Sequence, residues 1–216
     1  MEAWHTRVRL QSDGKIFWAS SFNLGYTNNT YVVRLNSDGT LDTSFNPMPP
    51  NASVRCLEVQ NNGKIFIAGA FTKIGTSLRN RVARLNSDGT LDAAYDPNVD
   101  GTVTASAIQT DGRIIITGTF KTVGGIARTN IARLSTDGSL DTSFNCGTGP
   151  NGWGPAAALQ SDGKVLIVGG FFSVNGVALQ GIARLATDGS VDTTFVPGYC
   201  SGGYSLVVQG DGRIVV

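Results

Sequence analysis

Histidine, cysteine and charged residues are scarce in this 216-residue chain. It has three cysteines and one histidine, His5, so no Cys and His cluster has the spacing of a zinc site. A Ser-His-Asp triad would have to use His5, which we interpret as an ordinary terminal residue. Charged residues make up 15 % of the chain and the formal net charge is +1, so there is no basic excess for nucleic-acid binding.

Long apolar runs and helical patterning are also missing. No run approaches the roughly 18 residues of a membrane helix, and the first ten residues lack the apolar segment of a secretory signal. We therefore expect no membrane insertion, and no signal peptide in this chain. No stretch of useful length has a 3.6-residue periodicity. Hydrophobic residues make up 41 % of the sequence, which excludes a disordered chain.

Two sequence strings alternate along the chain at intervals of 49 to 51 residues. The first reads LQSDGKI or a close variant, and its glycines are Gly14, Gly63, Gly112, Gly163 and Gly212. The second reads ARLNSDGTLD or a close variant, and its arginines are Arg34, Arg84, Arg133 and Arg184. Such self-similarity is typical of a repeat protein. We predict repeats at about 6–49, 50–100, 101–149 and 150–199, and a partial repeat at 200–216.

Each complete repeat predicts four β-strands. In the second repeat these are Val54–Gln60, Lys64–Phe71, Arg81–Asn86 and Thr90–Tyr95. The second strand is apolar on both faces and must be covered on both sides. Stacked four-stranded antiparallel blades meet this requirement, so we predict an all-β fold, a β-propeller with four complete repeats and half of a fifth. A trefoil is the runner-up, but it closes with three units. Residues 1–216 are expected to form a single propeller, either a fragment of a longer one or completed by a partner.

The tight hairpins share a three-residue loop such as Ser37-Asp38-Gly39. This loop is typical of a type I turn followed by a left-handed glycine, and it fixes the register of the hairpin. The register places each repeated arginine opposite an aspartate. The predicted structural cross-strand pairs are Arg34–Asp42, Arg84–Asp92, Arg133–Asp141 and Arg184–Asp192. Each turn offers only one carboxylate, so we predict no calcium or other metal site.

The connection Asn145–Pro155 is rich in glycine and carries Trp153. An exposed tryptophan on a loop is a candidate platform for a sugar, whereas a buried one would fill a gap between repeats. Cys146 and Cys200 lie in successive connections, and both a disulfide and two free thiols stay open.

The repeated strings resemble the delta-60 repeat family, described as a propeller repeat of uncharacterised function. The matching strings include Leu159–Val165 and Ile182–Leu185, and the resemblance extends from about Val8 to Val216. The first repeat departs from the pattern because Phe17–Phe22 lacks the usual glycine pair. The resemblance implies repeats in large secreted, surface-attached or virion proteins. It implies no activity and no catalytic residue.

These observations lead to the hypothesis of a non-enzymatic module of an extracellular or cell-surface protein, serving adhesion, display or protein or glycan binding. One alternative is a structural or receptor-binding component of a phage virion. Another is a hydrolase or lyase with an axial active site. We expect no cofactor and no nucleic-acid partner, and we expect self-association through the incomplete fifth repeat.

Overall fold

The structure is a computed structural model that describes residues 6–23, 28–198 and 203–216. Every regular element in these ranges is a β-strand, and all strand pairs are antiparallel. Among the described residues we find no helix with the length and hydropathy needed to cross a bilayer. His5 and Cys200 lie outside the described residues, so the question of the Cys146–Cys200 bridge stays open.

The chain divides into two compact units, residues 1–98 and 99–216. The first unit contains two three-stranded sheets and one small hairpin. The sheets are formed in order by β1 (Thr6–Leu10), β2 (Ile16–Asn23) and β3 (Asn28–Leu35), and by β4 (Val54–Val59), β5 (Ile65–Gly69) and β8 (Val82–Leu85). The hairpin consists of β6 (Lys73–Ile74) and β7 (Ser77–Leu78).

The second unit repeats this plan. Its three-stranded sheets are β9 (Val103–Ile108), β10 (Ile114–Gly118) and β13 (Ile131–Leu134), and β14 (Trp153–Leu159), β15 (Val165–Gly170) and β18 (Ile182–Leu185). Its small hairpins are β11 (Thr122–Val123) with β12 (Ile126–Ala127), and β16 (Ser173–Val174) with β17 (Val177–Ala178). The pair β19 (Val207–Val208) and β20 (Ile214–Val215) follows them.

The predicted fourth strand is reduced to one residue, so each main sheet has three strands instead of four. In the second repeat only Leu91 pairs, with Leu85. The strand ends there because of Asp92. The N–H of Asp92 donates to the carbonyl oxygen of Arg84 at 2.9 Å, and the carbonyl oxygen of Asp92 accepts a hydrogen bond from the N–H of Tyr95 at 3.2 Å. The chain therefore turns before a second ladder pair can form.

The turn and register predictions are confirmed in the first repeat. The N–H of Gly39 donates to the carbonyl oxygen of Asn36 at 2.9 Å, and Gly39 has φ +86°. Leu35 pairs with Leu41, and the N–H of Thr40 donates to the Asp38 carboxylate at 2.9 Å. An L side chain rarely adopts this backbone angle, so the glycine is required by the turn.

Each unit has its own core, centred on the middle strands of its sheets. Every residue of β5 and β10 is buried, as predicted for a strand covered on both faces. In the first unit the ring of Phe17 packs edge-on against Phe45 with centroids 5.2 Å apart. In the second unit the buried thiol of Cys146 belongs to the same apolar cluster as Phe144 and Phe171. Burial raises the pKa of this thiol to about 12.

Candidate functional site

The Arg133–Asp141 pair lies at the end of β13, where the chain turns back on itself. The Arg133 Nε atom donates to Asp141 Oδ2 at 2.7 Å, and its Nη2 atom donates to Ser143 Oγ at 3.0 Å. The guanidinium carbon lies 4.9 Å from the centre of the Phe144 ring. Arg133 is only 3 % exposed, so this cation is stabilised by bonds and ring contact rather than by water.

The other three predicted pairs have the same geometry. The distances from Arg Nε to Asp Oδ2 are 2.7 Å for Arg34–Asp42, 2.8 Å for Arg84–Asp92 and 2.9 Å for Arg184–Asp192. In each case an aromatic ring three residues after the aspartate lies under the guanidinium, at 5.0, 4.1 and 4.7 Å respectively. Their role in holding the hairpin together stays a prediction.

A second cation joins each pair, and sequence reasoning missed it. The basic residue that follows the first-string glycine bonds to the same aspartate oxygen. The bonds are Lys15–Asp42 at 2.8 Å, Lys64–Asp92 at 2.7 Å, Arg113–Asp141 at 2.9 Å and Lys164–Asp192 at 3.1 Å. The available signal was that this basic residue recurs in every repeat together with the aspartate.

These contacts keep the aspartates ionised. Hydrogen bonds from Lys15 and Ser44 lower the pKa of Asp42 far below its ordinary value, and bonds from Thr194 and Lys164 do the same for Asp192. Side chains with such a low pKa cannot serve as general acids at neutral pH. Within the described ranges no three His, Cys, Asp or Glu residues are grouped to hold a metal ion.

The arginines also bind the next repeat within each unit. In the first unit Arg34 Nη1 donates to the carbonyl oxygen of Ser87 at 2.7 Å, and in the second Arg133 Nη1 donates to that of Thr187 at 2.8 Å. Ser87 and Thr187 lie in the tight turn of the second repeated string, at residues 86–90 and 186–190 respectively. One guanidinium therefore links a hairpin end, an aromatic ring and a neighbouring repeat.

Trp153 is the first residue of β14, not a loop residue as the sequence predicts. The strand begins early because the backbone of Trp153 pairs with Gly170 of β15. A Cβ atom on Gly170 would lie 2.3 Å from the indole nitrogen, so the indole rests directly on the glycine backbone. The other part of the side chain faces solvent, and Trp153 is 49 % exposed.

An exposed tyrosine extends this aromatic surface. The ring centroid of Tyr204 lies 5.4 Å from that of Trp153, the two planes are tilted by 42°, and Tyr204 is 81 % exposed. Two adjacent exposed rings combine apolar faces with polar N–H and O–H groups. Sequence reasoning missed Tyr204 because no other repeat has a tyrosine at the equivalent position.

A polar cavity of about 500 Å³ lies at the β9–β10 and β14–β15 turns, and its lining includes Gln109, Asp111, Arg113 and Gln160. The Oε1 atoms of both glutamines are buried and accept no hydrogen bond from the described residues. Asp111 and Asp141 already engage the Arg113 guanidinium. The cavity therefore presents acceptors, which suit water or another hydrogen-bond donor.

The family comparison agrees with the repeat pattern. A family described as "Domain of unknown function (DUF5122) beta-propeller" matches residues 11–45, 60–95, 109–144 and 160–195. The chain belongs to this family. Each matched range of this DUF5122 protein begins at the glutamine of the first string. It ends at the aromatic residue whose ring lies under the guanidinium.

Solved structures similar to this DUF5122 chain have the same class of fold. One is a catalytically inactive His-to-Ala variant of virginiamycin B lyase from Staphylococcus aureus, with quinupristin. It is 17 % identical to this chain with a TM-score of 0.61, and the match covers 98 % of this chain and 62 % of the lyase. A protein of unknown function from Bacteroides caccae is 13 % identical with a TM-score of 0.51, covering 88 % of this chain and 66 % of that one.

The extracellular domain of BT4673, a one-component system of B. thetaiotaomicron, is 17 % identical with a TM-score of 0.53, covering 96 % of this chain and 23 % of that one. The DUF5122 chain thus spans less than two thirds of the length of each of these three structures. A search of curated protein sequences found no match. At these identities the similarity concerns the fold alone.

Proposed function

We propose that this DUF5122 chain is a non-enzymatic, glycan-binding β-propeller module of an extracellular or cell-surface protein. The observation that carries the proposal is the exposed aromatic pair of Trp153 and Tyr204. Each of the four complete repeats contains one of the matched family ranges, which supports treating these repeats as consecutive propeller blades.

The chemistry of the pair suits a sugar ring. The apolar face of a pyranose packs on an aromatic face, while its hydroxyls bond to groups at the rim. Because Gly170 has no side chain, it supports the Trp153 indole from beneath without covering its outer face. The adjoining Tyr204 ring offers a second surface and a hydroxyl group.

A lyase function is less well supported. The similar lyase structure is a catalytically inactive variant in which one histidine is replaced by alanine. This chain has a single histidine, His5, which lies outside the repeated strings. The repeated aspartates are committed to cations and turn N–H groups in all four repeats.

The proposal is tested with a glycan microarray and three variants. We expect the wild-type chain to bind one glycan class, and Trp153→Ala and Tyr204→Ala each to weaken that binding at least tenfold, about 1.4 kcal/mol. Phe172→Ala is the matched control, because Phe172 is an aromatic residue that is 76 % exposed and outside the pair. It should bind like the wild type.

Thermal unfolding of each variant separates binding from folding. Tyr204→Ala removes a ring that is mostly in solvent, so its melting temperature should match that of the wild type. Binding by Tyr204→Ala and Trp153→Ala at wild-type strength would reject the proposal. Loss of binding together with loss of the folded state would assign the two rings to stability instead.

A further inference from the structure

The glutamine of the first repeated string presents a buried acceptor in all four complete repeats. The Oε1 atoms of Gln11, Gln60, Gln109 and Gln160 are buried and accept no hydrogen bond from the described residues. A buried carbonyl oxygen without a donor is costly for folding. Its recurrence at one position of the repeat therefore points to a donor that comes from solvent or from a ligand.

Two of these acceptors belong to one cavity in the second unit. Gln109 and Gln160 both line the polar cavity of about 500 Å³ at the β9–β10 and β14–β15 turns. Every lining residue lies between Ile108 and Thr187, in the two complete repeats of this unit. Small-molecule sites are typically pockets of about 300–1,000 Å³. The cavity is therefore large enough for a small ligand.

The charged groups of the cavity wall are paired with one another. Arg113 donates through Nε to Asp111 at 2.8 Å and through Nη1 to Asp141 at 2.9 Å. Arg133 donates through Nε to Asp141 at 2.7 Å and through Nη1 to the carbonyl oxygen of Thr187 at 2.8 Å. Because two cations are balanced by two anions, the wall favours an uncharged ligand.

The rest of the wall combines hydroxyl groups with apolar surface. Thr110 and Ser161 are exposed turn residues, and a hydroxyl group can both donate and accept a hydrogen bond. Ile108 and Leu159 are half-buried and add aliphatic surface. A complementary ligand therefore carries several hydroxyl donors on an aliphatic C–H framework.

The positions beside the glutamines differ between the two units. In the first unit Arg9 Nε and Nη2 donate to the Glu58 carboxylate at 3.1 and 3.2 Å, each residue lying two before its glutamine. The equivalent residues of the second unit are Ala107 and Ala158. Side chains two residues apart on a strand lie on the same face. The second unit therefore has small, uncharged side chains beside its glutamines, which favours a ligand there.

We propose that the cavity between the third and fourth repeats binds a neutral polyhydroxylated ligand of monosaccharide size. The ligand hydroxyls would donate to Gln109 Oε1 and Gln160 Oε1, and one would accept from the Ser161 hydroxyl in return. The C–H face of the ligand would pack on Leu159. A small amide such as urea also donates, but it has no aliphatic face for the apolar part of the wall.

NMR titration of the chain with 15N-labelled glutamine side chains tests the proposal. The probes are glucose, galactose, mannitol and myo-inositol. The amide resonances of Gln109 and Gln160, identified by their absence from Gln109→Leu and Gln160→Leu, should shift in a saturable manner with at least one probe. Glucuronate and glucosamine carry a charge and should bind at least tenfold more weakly. Urea should produce no saturable shift.

Calorimetric titration with the best probe measures the effect of the variants. Gln109→Leu and Gln160→Leu should each weaken binding at least tenfold. Each removes a buried, unpaired acceptor, so the melting temperature without the probe should not fall below that of the wild type. Ser161→Tyr keeps both glutamines but places a ring at the exposed side of the cavity, and should also weaken binding. Gln180→Leu is the matched control, because Gln180 is exposed and is not among the lining residues.

The result is independent of the aromatic pair. Trp153 and Tyr204 are not among the described residues that line the cavity, so Trp153→Ala should bind the probe like the wild type. A loss of probe binding in Trp153→Ala would overturn the proposal and assign the signal to the aromatic pair. The absence of a saturable shift with all four probes would also overturn it, and would leave the glutamines with ordered water only. Binding that Gln109→Leu and Gln160→Leu leave unchanged would exclude this cavity.

Discussion

Replacing Arg133 by methionine should strongly destabilise the second unit. The change keeps most of the aliphatic stem over Phe144 but removes the charged head. That head donates to Asp141 at 2.7 Å, to Ser143 at 3.0 Å and to the carbonyl oxygen of Thr187 at 2.8 Å. Since Arg133 is 3 % exposed, water cannot take over these bonds in the folded state.

The magnitude follows from what stays unpaired. Removing one partner of a buried ion pair costs about 3–5 kcal/mol. Asp141 keeps its bonds to Arg113 and Ser143, so we expect the lower end of this range, a loss of about 3 kcal/mol in the free energy of unfolding. For a chain of this size that loss lowers the melting temperature by about 6–12 °C.

Urea denaturation followed by circular dichroism measures the effect, and Arg213→Met is the control. Arg213 pairs with Asp211, but its side chain is 81 % exposed, so this change should cost less than about 0.5 kcal/mol. If Arg133→Met and Arg213→Met destabilised the chain equally, the buried guanidinium would not be holding the repeats together.

Three further predictions concern the turns, the aspartates and the thiols. Gly89→Ala should lower the free energy of unfolding, measured by urea denaturation, more than Gly39→Ala does, by about 1–3 kcal/mol, because only Gly89 has backbone 2.9 Å from the new methyl group; equal losses would contradict this. The pKa of Asp141 is lowered in the folded state, so its stabilisation is complete above about pH 4, the unfolded value, and is lost as the pH falls further. Urea midpoints across this range should fall in acid, and less steeply in Asp141→Asn; parallel curves would reject the assignment. In a variant lacking the third cysteine, a thiol reagent should label the buried Cys56 and Cys146 only after unfolding, and rapid native labelling would contradict their burial.

Local features of the repeat were predictable from the sequence because short-range chemistry determines them. The spacing of Asp38 and Gly39 specifies the turn, and the turn specifies the register that places Arg34 beside Asp42. The all-β class follows in the same way from the alternation of turn residues and apolar strands.

Features set by a single pair of residues or by tertiary position were not predictable. The fourth strand ends after Leu91 because Asp92 closes a turn, which strand propensity does not reveal. The hairpins β6–β7, β11–β12 and β16–β17 have strands of two residues, too short to produce a hydrophobic pattern.

The candidate site illustrates the same limit. Trp153 was identified as an unusual residue in a glycine-rich segment, but its place on β14 depends on pairing with Gly170. Tyr204 lies about fifty residues further along the chain and has no counterpart in the other repeats. Its position beside Trp153 follows only from the packing of the second unit.

The glycan-binding proposal is tested most directly by fluorine NMR of the chain labelled with fluorotryptophan. The chain has three tryptophans, and the resonance missing from a Trp153→Phe variant identifies Trp153. Titration uses the oligosaccharide that gives the strongest microarray signal. We expect the Trp153 resonance to shift in a saturable manner while the other two stay in place. An unchanged Trp153 resonance, or a shift confined to another tryptophan, would contradict the proposal.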